Sequence, residues 1–221
     1  PKFAEFPDLK SGQVLATSSE GRAEVLLTPG VFLRLAENSS VRMLSNSLAD
    51  TRIAVIFGSV LIEAGELLPN NAVSFQIQGA QIAIPKKGLY RIDADAARLE
   101  VFDGQALVTL DDEKVTARKG HRVTLARETL SDEKFDVKTT DPFYRWSARR
   151  AEYIAAANVT AAHVAANSDY RASYAGGSGG SGSGAGAWSW NPWFGMYTFL
   201  PASGVYWSPF GAAFYSPGVV G

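Results

Sequence analysis

Residues 99 to 110, Leu99-Glu100-Val101-Phe102-Asp103-Gly104-Gln105-Ala106-Leu107-Val108-Thr109-Leu110, hold two β-favouring runs around an Asp-Gly turn. Asp-Gly between apolar runs is a strong local hairpin signal, since both residues accept tight-turn backbone. Outward from this hairpin the arrangement repeats across residues 21 to 126. Similar runs lie at 23–28, 31–36, 53–57, 59–64, 73–78, 89–93, 114–118 and 122–126. Thr28-Pro29-Gly30, Phe57-Gly58-Ser59 and Lys119-Gly120 punctuate them. In Phe32-Leu33-Arg34-Leu35, Ser74-Phe75-Gln76-Ile77 and Leu89-Tyr90-Arg91-Ile92, polar and apolar residues interleave, which suits strands with one buried and one wet face. No helical period interrupts this block. The expectation is a mainly β domain, a β-sandwich or β-roll closing one core.

After a connector at 127–140 the periodicity changes. Asp141 is a good N-cap, Pro142 fits the first helical position, and nine Ala fall between Ala148 and Ala166. The spacing predicts an amphipathic, Ala-rich helix in the segment 141–170, running to about Ala166. Phe143, Trp146, Tyr153, Ala157, Ala161 and Val164 draw its apolar stripe. Its aromatic first half is expected to pack on the β domain; its small-residue second half either projects or meets another backbone closely.

Charge divides the chain. The 21 Lys and Arg residues and the 22 Asp and Glu residues all lie at or before Arg171, and the formal net charge is -1. That balance supplies no long-range field for nucleic acid or an anionic membrane surface. No stretch has the roughly 18 apolar residues of a spanning helix. The opening Pro1-Lys2, lacking Met and an apolar core, reads as a mature form whose targeting segment has been removed. Residues 1–20 are read as an N-terminal segment, and 171–187, which contain Gly176-Gly177-Ser178-Gly179-Gly180-Ser181-Gly182-Ser183-Gly184, as a flexible linker.

The last segment, 188–221, is an uncharged, aromatic, β-prone tail. It carries Trp188, Trp190, Trp193, Phe194, Tyr197, Phe199, Tyr206, Trp207, Phe210, Phe214 and Tyr215. It also echoes itself: Asn191-Pro192-Trp193-Phe194-Gly195 and Ser208-Pro209-Phe210-Gly211 each lead into an extended aromatic run. So much uncharged ring surface needs a cover. The cover is either the rest of the same chain or a neighbouring copy. The second is the expectation, with these eleven aromatics as subunit-contact residues in a homo-oligomer or homopolymer.

An ordered set of motifs in the β block resembles the FecR-type domain of bacterial envelope proteins. The set comprises Glu37-Asn38-Ser39-Ser40-Val41, Ile56-Phe57-Gly58-Ser59-Val60, Phe75-Gln76-Ile77, Gly88-Leu89-Tyr90-Arg91-Ile92, Val101-Phe102-Asp103-Gly104-Gln105-Ala106-Leu107-Val108 and Lys119-Gly120-His121-Arg122-Val123. It covers a little under half of the chain. The resemblance implies a mostly β, extracytoplasmic fold. Well-known members of that family relay an iron-uptake signal to a sigma factor; this chain looks more like secreted members with Trp-Pro-Phe-Gly-type tails.

Catalytic, cofactor and metal sites are not expected. The chain has no Cys and two His, His121 and His163, remote from each other in sequence. Gly180-Ser181-Gly182-Ser183-Gly184 matches a nucleophile elbow in form but sits in a Gly/Ser tract. Asp111-Asp112-Glu113 reads as a solvated hairpin tip, and Arg145, Arg149 and Arg150 as a solvated or subunit-contact face. Asn38-Ser39-Ser40 and Asn158-Val159-Thr160 match the glycosylation triplet. The function expected is that of a non-enzymatic extracellular structural protein, self-assembling through its tail into a filament or sheath. The alternative is a monomeric periplasmic or envelope FecR-type sensor or binding module, serving signal transduction or contact with the cell wall or carbohydrate, in which Trp and Tyr rings would be the sugar platforms.

Overall fold

The computed structural model describes residues 6–67, 71–126, 129–167 and 186–220. Fourteen strands precede the helix among these residues. They are β1 (Val14–Ala16), β2 (Ala23–Leu26), β3 (Val31–Leu35), β4 (Ser40–Ser47), β5 (Asp50–Phe57), β6 (Ser59–Ala64) and β7 (Ala72–Ile77). Then come β8 (Ala80–Ala83), β9 (Gly88–Asp93), β10 (Arg98–Asp103), β11 (Gln105–Leu110), β12 (Glu113–Arg118), β13 (His121–Ala126) and β14 (Thr129–Lys134). They form two seven-stranded sheets, ordered β1-β4-β5-β7-β8-β11-β12 and β14-β13-β10-β9-β6-β3-β2. Pairing is antiparallel except between β5 and β7. The fold is the mainly β sandwich expected, followed by one main helix, α1 (Pro142–Ala166).

The core lies between the sheets. Val31, Leu33 and Leu35 of β3, Val60 and Ile62 of β6 and Tyr90 and Ile92 of β9 meet Val41, Ile53, Phe75, Ile82 and Val108 from the first sheet. Alternation sends the intervening residues outward, and here the two sheets differ. On the first sheet outward residues such as Arg42, Arg52 and Gln76 are exposed. On the second, β3 and β6 are buried at every position. The interleaved polar residue Arg34, expected on a wet face, has no exposed surface. A third layer of α1 and the tail covers that face.

Outward residues of the second sheet form one register row across all seven strands: Glu24, Arg34, Leu61, Arg91, Glu100, Arg122 and Glu133. Four of the six neighbour steps in that order pair an acid with a base and the other two flank the single Leu, which favours this register over a slipped one.

The strands missed in the sequence have physical reasons to be faint. β4 is half exposed and bulged, β14 is a charged edge, and β8 has only four residues. β1 lies within the N-terminal segment 1–20, and β14 within the connector 127–140. The helix begins where the cap signal placed it: Asp141 accepts from the backbone N–H of Tyr144 at 2.7 Å. Its stripe is rotated from the expected one. Ser147, Ala151, Ile154 and Asn158 are buried beside Phe143, Ala157 and Ala161, whereas Tyr153 is exposed. The tail forms two hairpins, β15 (Ala187–Asn191) with β16 (Met196–Leu200) and β17 (Val205–Trp207) with β18 (Ala213–Tyr215), then a short α2 (Pro217–Val220). Ala187 is thus part of a strand and not of the linker; residues 168–170 of the helix segment and 171–185 of the linker lie outside the described residues.

Candidate functional site

The chemistry of this chain concentrates where the tail lies on the second sheet and α1. The echo in the tail sequence is an echo in structure. In the first turn, Asn191 Oδ1 accepts from the N–H groups of Trp193 and Phe194 at 3.0 and 3.2 Å. In the second, Ser208 Oγ accepts from the N–H of Phe210 at 3.2 Å. Gly195 and Gly211 close the turns at φ 60° and 87°, a region glycine enters without a Cβ penalty.

Each turn residue also fastens its hairpin to the body. Asn191 Nδ2 donates to the carbonyl of Ala157 at 2.7 Å, and Ser208 Oγ donates to Glu63 Oε1 in a short hydrogen bond. Between them, Thr198 Oγ1 donates to the carbonyl of Ile154 at 2.8 Å. Asn158 Nδ2 donates to the carbonyls of Phe199 and Tyr215 at 2.8 and 3.0 Å, while its Oδ1 accepts from the Tyr215 N–H at 2.7 Å. The small-residue half of α1 therefore does meet another backbone closely, that of the tail. Asn158 is fully buried, so its triplet offers no accessible glycosylation acceptor.

Glu63 belongs to a buried charge relay. Arg150 Nη2 donates to Glu24 Oε1 at 2.8 Å, Arg34 Nε to Glu24 Oε2 at 2.8 Å, and Arg34 Nη1 to Glu63 Oε2 at 2.7 Å. The relay runs from α1 through β2, β3 and β6 to Ser208 in the tail. Burial on its own would raise the Glu24 carboxyl, but Arg34 and Arg150 outweigh it and hold it below its ordinary value. Two acids and two guanidinium groups compensate one another, which buried charges require. The guanidinium of Arg34 also lies 5.3 Å from the Phe32 ring centroid and 5.8 Å from that of Phe210.

Apolar contacts complete the seat. Phe199 and Phe214 have no exposed surface and pack with Phe32, Ala151, Ile154 and Ala157. Each such ring contributes roughly 1.5–3 kcal/mol by burial. Gly65 admits the tail: a Cβ there would stand 2.5 Å from the Tyr206 ring. Burial first, and the nearby Glu63 carboxylate second, push the Tyr206 phenol far above its ordinary value.

These positions divide the eleven aromatics. Phe199 and Phe214 are buried against their own chain, in the groove between β3 and α1. Trp188, Tyr206 and Phe210 are partly buried against the same cluster, with Trp188 edge-on to Phe32 at 5.1 Å. Phe194 packs edge-on to Tyr153. Trp193 and Trp207, each 64% exposed, and Trp190, 38% exposed, face outward. Tyr197 and Trp190 cluster with Phe6 in edge-to-face pairs, so they present no flat row for stacking on sugar rings. Tyr215 contributes its backbone to the Asn158 bonds.

The remaining candidates resolve into structural roles. His121 Nδ1 lies 2.9 Å from Asp132 Oδ1, but both side chains are about one-third exposed, on β13 and the edge strand β14 beside it, a surface pair. Glu113 accepts from the Leu130 N–H at 2.9 Å, holding β14 to the hairpin tip. Among the described residues no group of His, Asp and Glu is arranged to hold a metal, and no helix is long and apolar enough to cross a membrane.

No protein-family model matches the sequence, and no curated protein matches it. Two crystal structures of a "putative anti-sigma factor" from Parabacteroides distasonis are similar in fold. One has 9% identity and TM-score 0.50, with 63% of this chain and 65% of that chain covered. The other has 10% identity and TM-score 0.49, covering 57% and 61%. This chain therefore spans less than two thirds of either, and at such identity the likeness is one of fold.

Proposed function

We propose that the chain is a non-enzymatic, extracytoplasmic binding module of the FecR kind that acts as a monomer and contacts its envelope partner through the exposed tryptophan edge of its tail. The observation that carries this reading is the zero exposure of Phe199 and Phe214 within one chain. The strongest apolar anchors of the tail are spent on its own fold, leaving Trp193 and Trp207 for contact outside. The ordered motifs of the β block and the fold likeness to the anti-sigma-type structures support the same assignment. The chemistry described above is that of a fastener: its charged groups are mutually paired and enclosed, with no nucleophile and base converging on open space.

A second reading, a self-assembling filament or sheath subunit, is favoured by one feature of the docking. The tail strands ladder only with each other, and side chains make the tail's described hydrogen bonds to α1 and the second sheet. Such a tail could occupy the groove of another copy without unpicking either sheet. Light scattering across roughly a hundredfold concentration range separates the readings, because association follows mass action. A constant monomer mass supports the first; growth to large homopolymers overturns it in favour of the second.

A further inference from the structure

The outer face of the second sheet carries a further cleft beside the start of α1. β9, β10, β13 and the chain between β14 and α1 enclose about 290 Å³, at the lower end of small-molecule sites. Its wall is aromatic: Phe102 lies 5.1 Å from Phe135 and 5.2 Å from Tyr144, centroid to centroid. Its floor carries three arginines, Arg91, Arg98 and Arg122.

The acids around this cleft are occupied. Glu100 Oε1 receives Arg122 Nε and Nη2 at 2.8 and 2.7 Å. Asp141 receives Arg91 Nη1 at 2.6 Å and the Tyr144 N–H at 2.7 Å. Burial works to raise the Asp141 carboxyl, but these two donors outweigh it and keep it below its ordinary value, hence ionised. Asp136 accepts from the Lys138 N–H at 2.9 Å.

Arg98 is the underused donor. Its side chain is one-third exposed, and its guanidinium is held only by long contacts: Nη2 reaches Asp93 at 3.4 Å and Nε stands 4.0 Å from Glu100. An incoming acceptor on the exposed edge of this guanidinium therefore competes with weak contacts only. A guanidinium fork fits a planar carboxylate with two parallel hydrogen bonds. Three carboxylates already line the cleft, which disfavours a doubly charged phosphate and suits a singly charged ion.

We propose that this cleft binds a small organic carboxylate, its carboxylate on Arg98 and its apolar body against Phe102, Phe135 and Tyr144. The test is a titration of the ¹⁵N-labelled full chain with 3-phenylpropionate, with 3-phenylpropan-1-ol and inorganic phosphate as comparisons. Saturable shifts confined to residues 98–102 and 135–144 are expected with 3-phenylpropionate. Loss of a charge-assisted bidentate contact should weaken the alcohol, and Arg98→Gln with the acid, by about tenfold or more. Phosphate is expected to give no saturable shift there. Absence of saturation by the acid, equal affinity for the alcohol, saturable binding of phosphate at the same residues, or unchanged affinity in Arg98→Gln each overturns the proposal. The alcohol comparison uses the unaltered protein, so it decides even if the variant is poorly folded.

Discussion

Asn158 of α1 holds Tyr215 of the tail by both of its backbone groups, accepting from the N–H at 2.7 Å and donating to the carbonyl at 3.0 Å. One side-chain amide thus does for the last tail strand what a neighbouring strand would do, while its second N–H bond, to Phe199, fixes β16. Both hairpins converge on this one helix residue.

Replacing Asn158 by Leu should therefore release the tail. It removes three hydrogen bonds and leaves their backbone partners facing an apolar side chain, at a cost of about 1–3 kcal/mol for each group left unsatisfied. Chemical denaturation should show a lower midpoint, and hydrogen exchange should show the Tyr215 amide losing protection while the Tyr90 amide in the sandwich keeps it.

Gly65→Ala should displace Tyr206, because the new methyl would overlap the ring. Overpacking of this kind costs typically about 1–3 kcal/mol. Tyr206→Ala in the same chain should relieve much of that penalty. A denaturation double-mutant cycle measures the coupling; independent, additive losses would show that the two residues do not meet.

The Glu24 carboxyl is held below its ordinary value of 4.5 by Arg34 and Arg150. A depressed acid contributes stability that is present above its unfolded value and is lost as pH falls through the folded one. Acidification below the ordinary Glu range should loosen the relay and with it the Ser208 fastening. Melting temperature against pH should fall less steeply there in Glu24→Gln, although that variant starts lower at neutral pH.

Deleting residues 186–221 would uncover Phe32, Ile154 and Ala157 together with the buried pair Arg34 and Glu63. From sequence, a tail that glues copies together predicts a soluble truncated monomer; the covered groove predicts a truncated chain that binds hydrophobic dye and aggregates. Adding a synthetic peptide of residues 186–220 should suppress the dye signal. Truncated protein that stays monomeric and dye-free would contradict the groove.

What the sequence disclosed follows from which interactions are local. Asp141, Pro142 and the Ala run lie within a few turns of one another, so the helix start was legible to the residue. A turn at Asp103-Gly104 was legible for the same reason, but the hairpin expected there does not form: β10 and β11 flank the turn in different sheets, with β11 paired to β8 and β12, because which strand pairs across a turn is decided by packing far along the chain. The tail echo, Asn191-Pro192 against Ser208-Pro209, likewise marked two real turns. Arg34 was misplaced because its partners come from far along the chain, Glu63 29 residues away, and the cover over them 145 residues beyond Glu63. An interleaved charge looks identical in sequence whether water or a third layer covers it. Asn158 was visible only as a glycosylation triplet, since nothing local distinguishes an outward Asn from one aimed at a distant backbone.

Whether the tail seats in its own chain is tested most directly by isotope-filtered NOE spectroscopy on protein refolded from equal amounts of labelled and unlabelled chains. The Phe32–Trp188 ring contact, 5.1 Å between centroids, is the reporter. Docking within one chain predicts this cross-peak in the intramolecular experiment alone; its appearance in the experiment selecting contacts between labelled and unlabelled chains would contradict it.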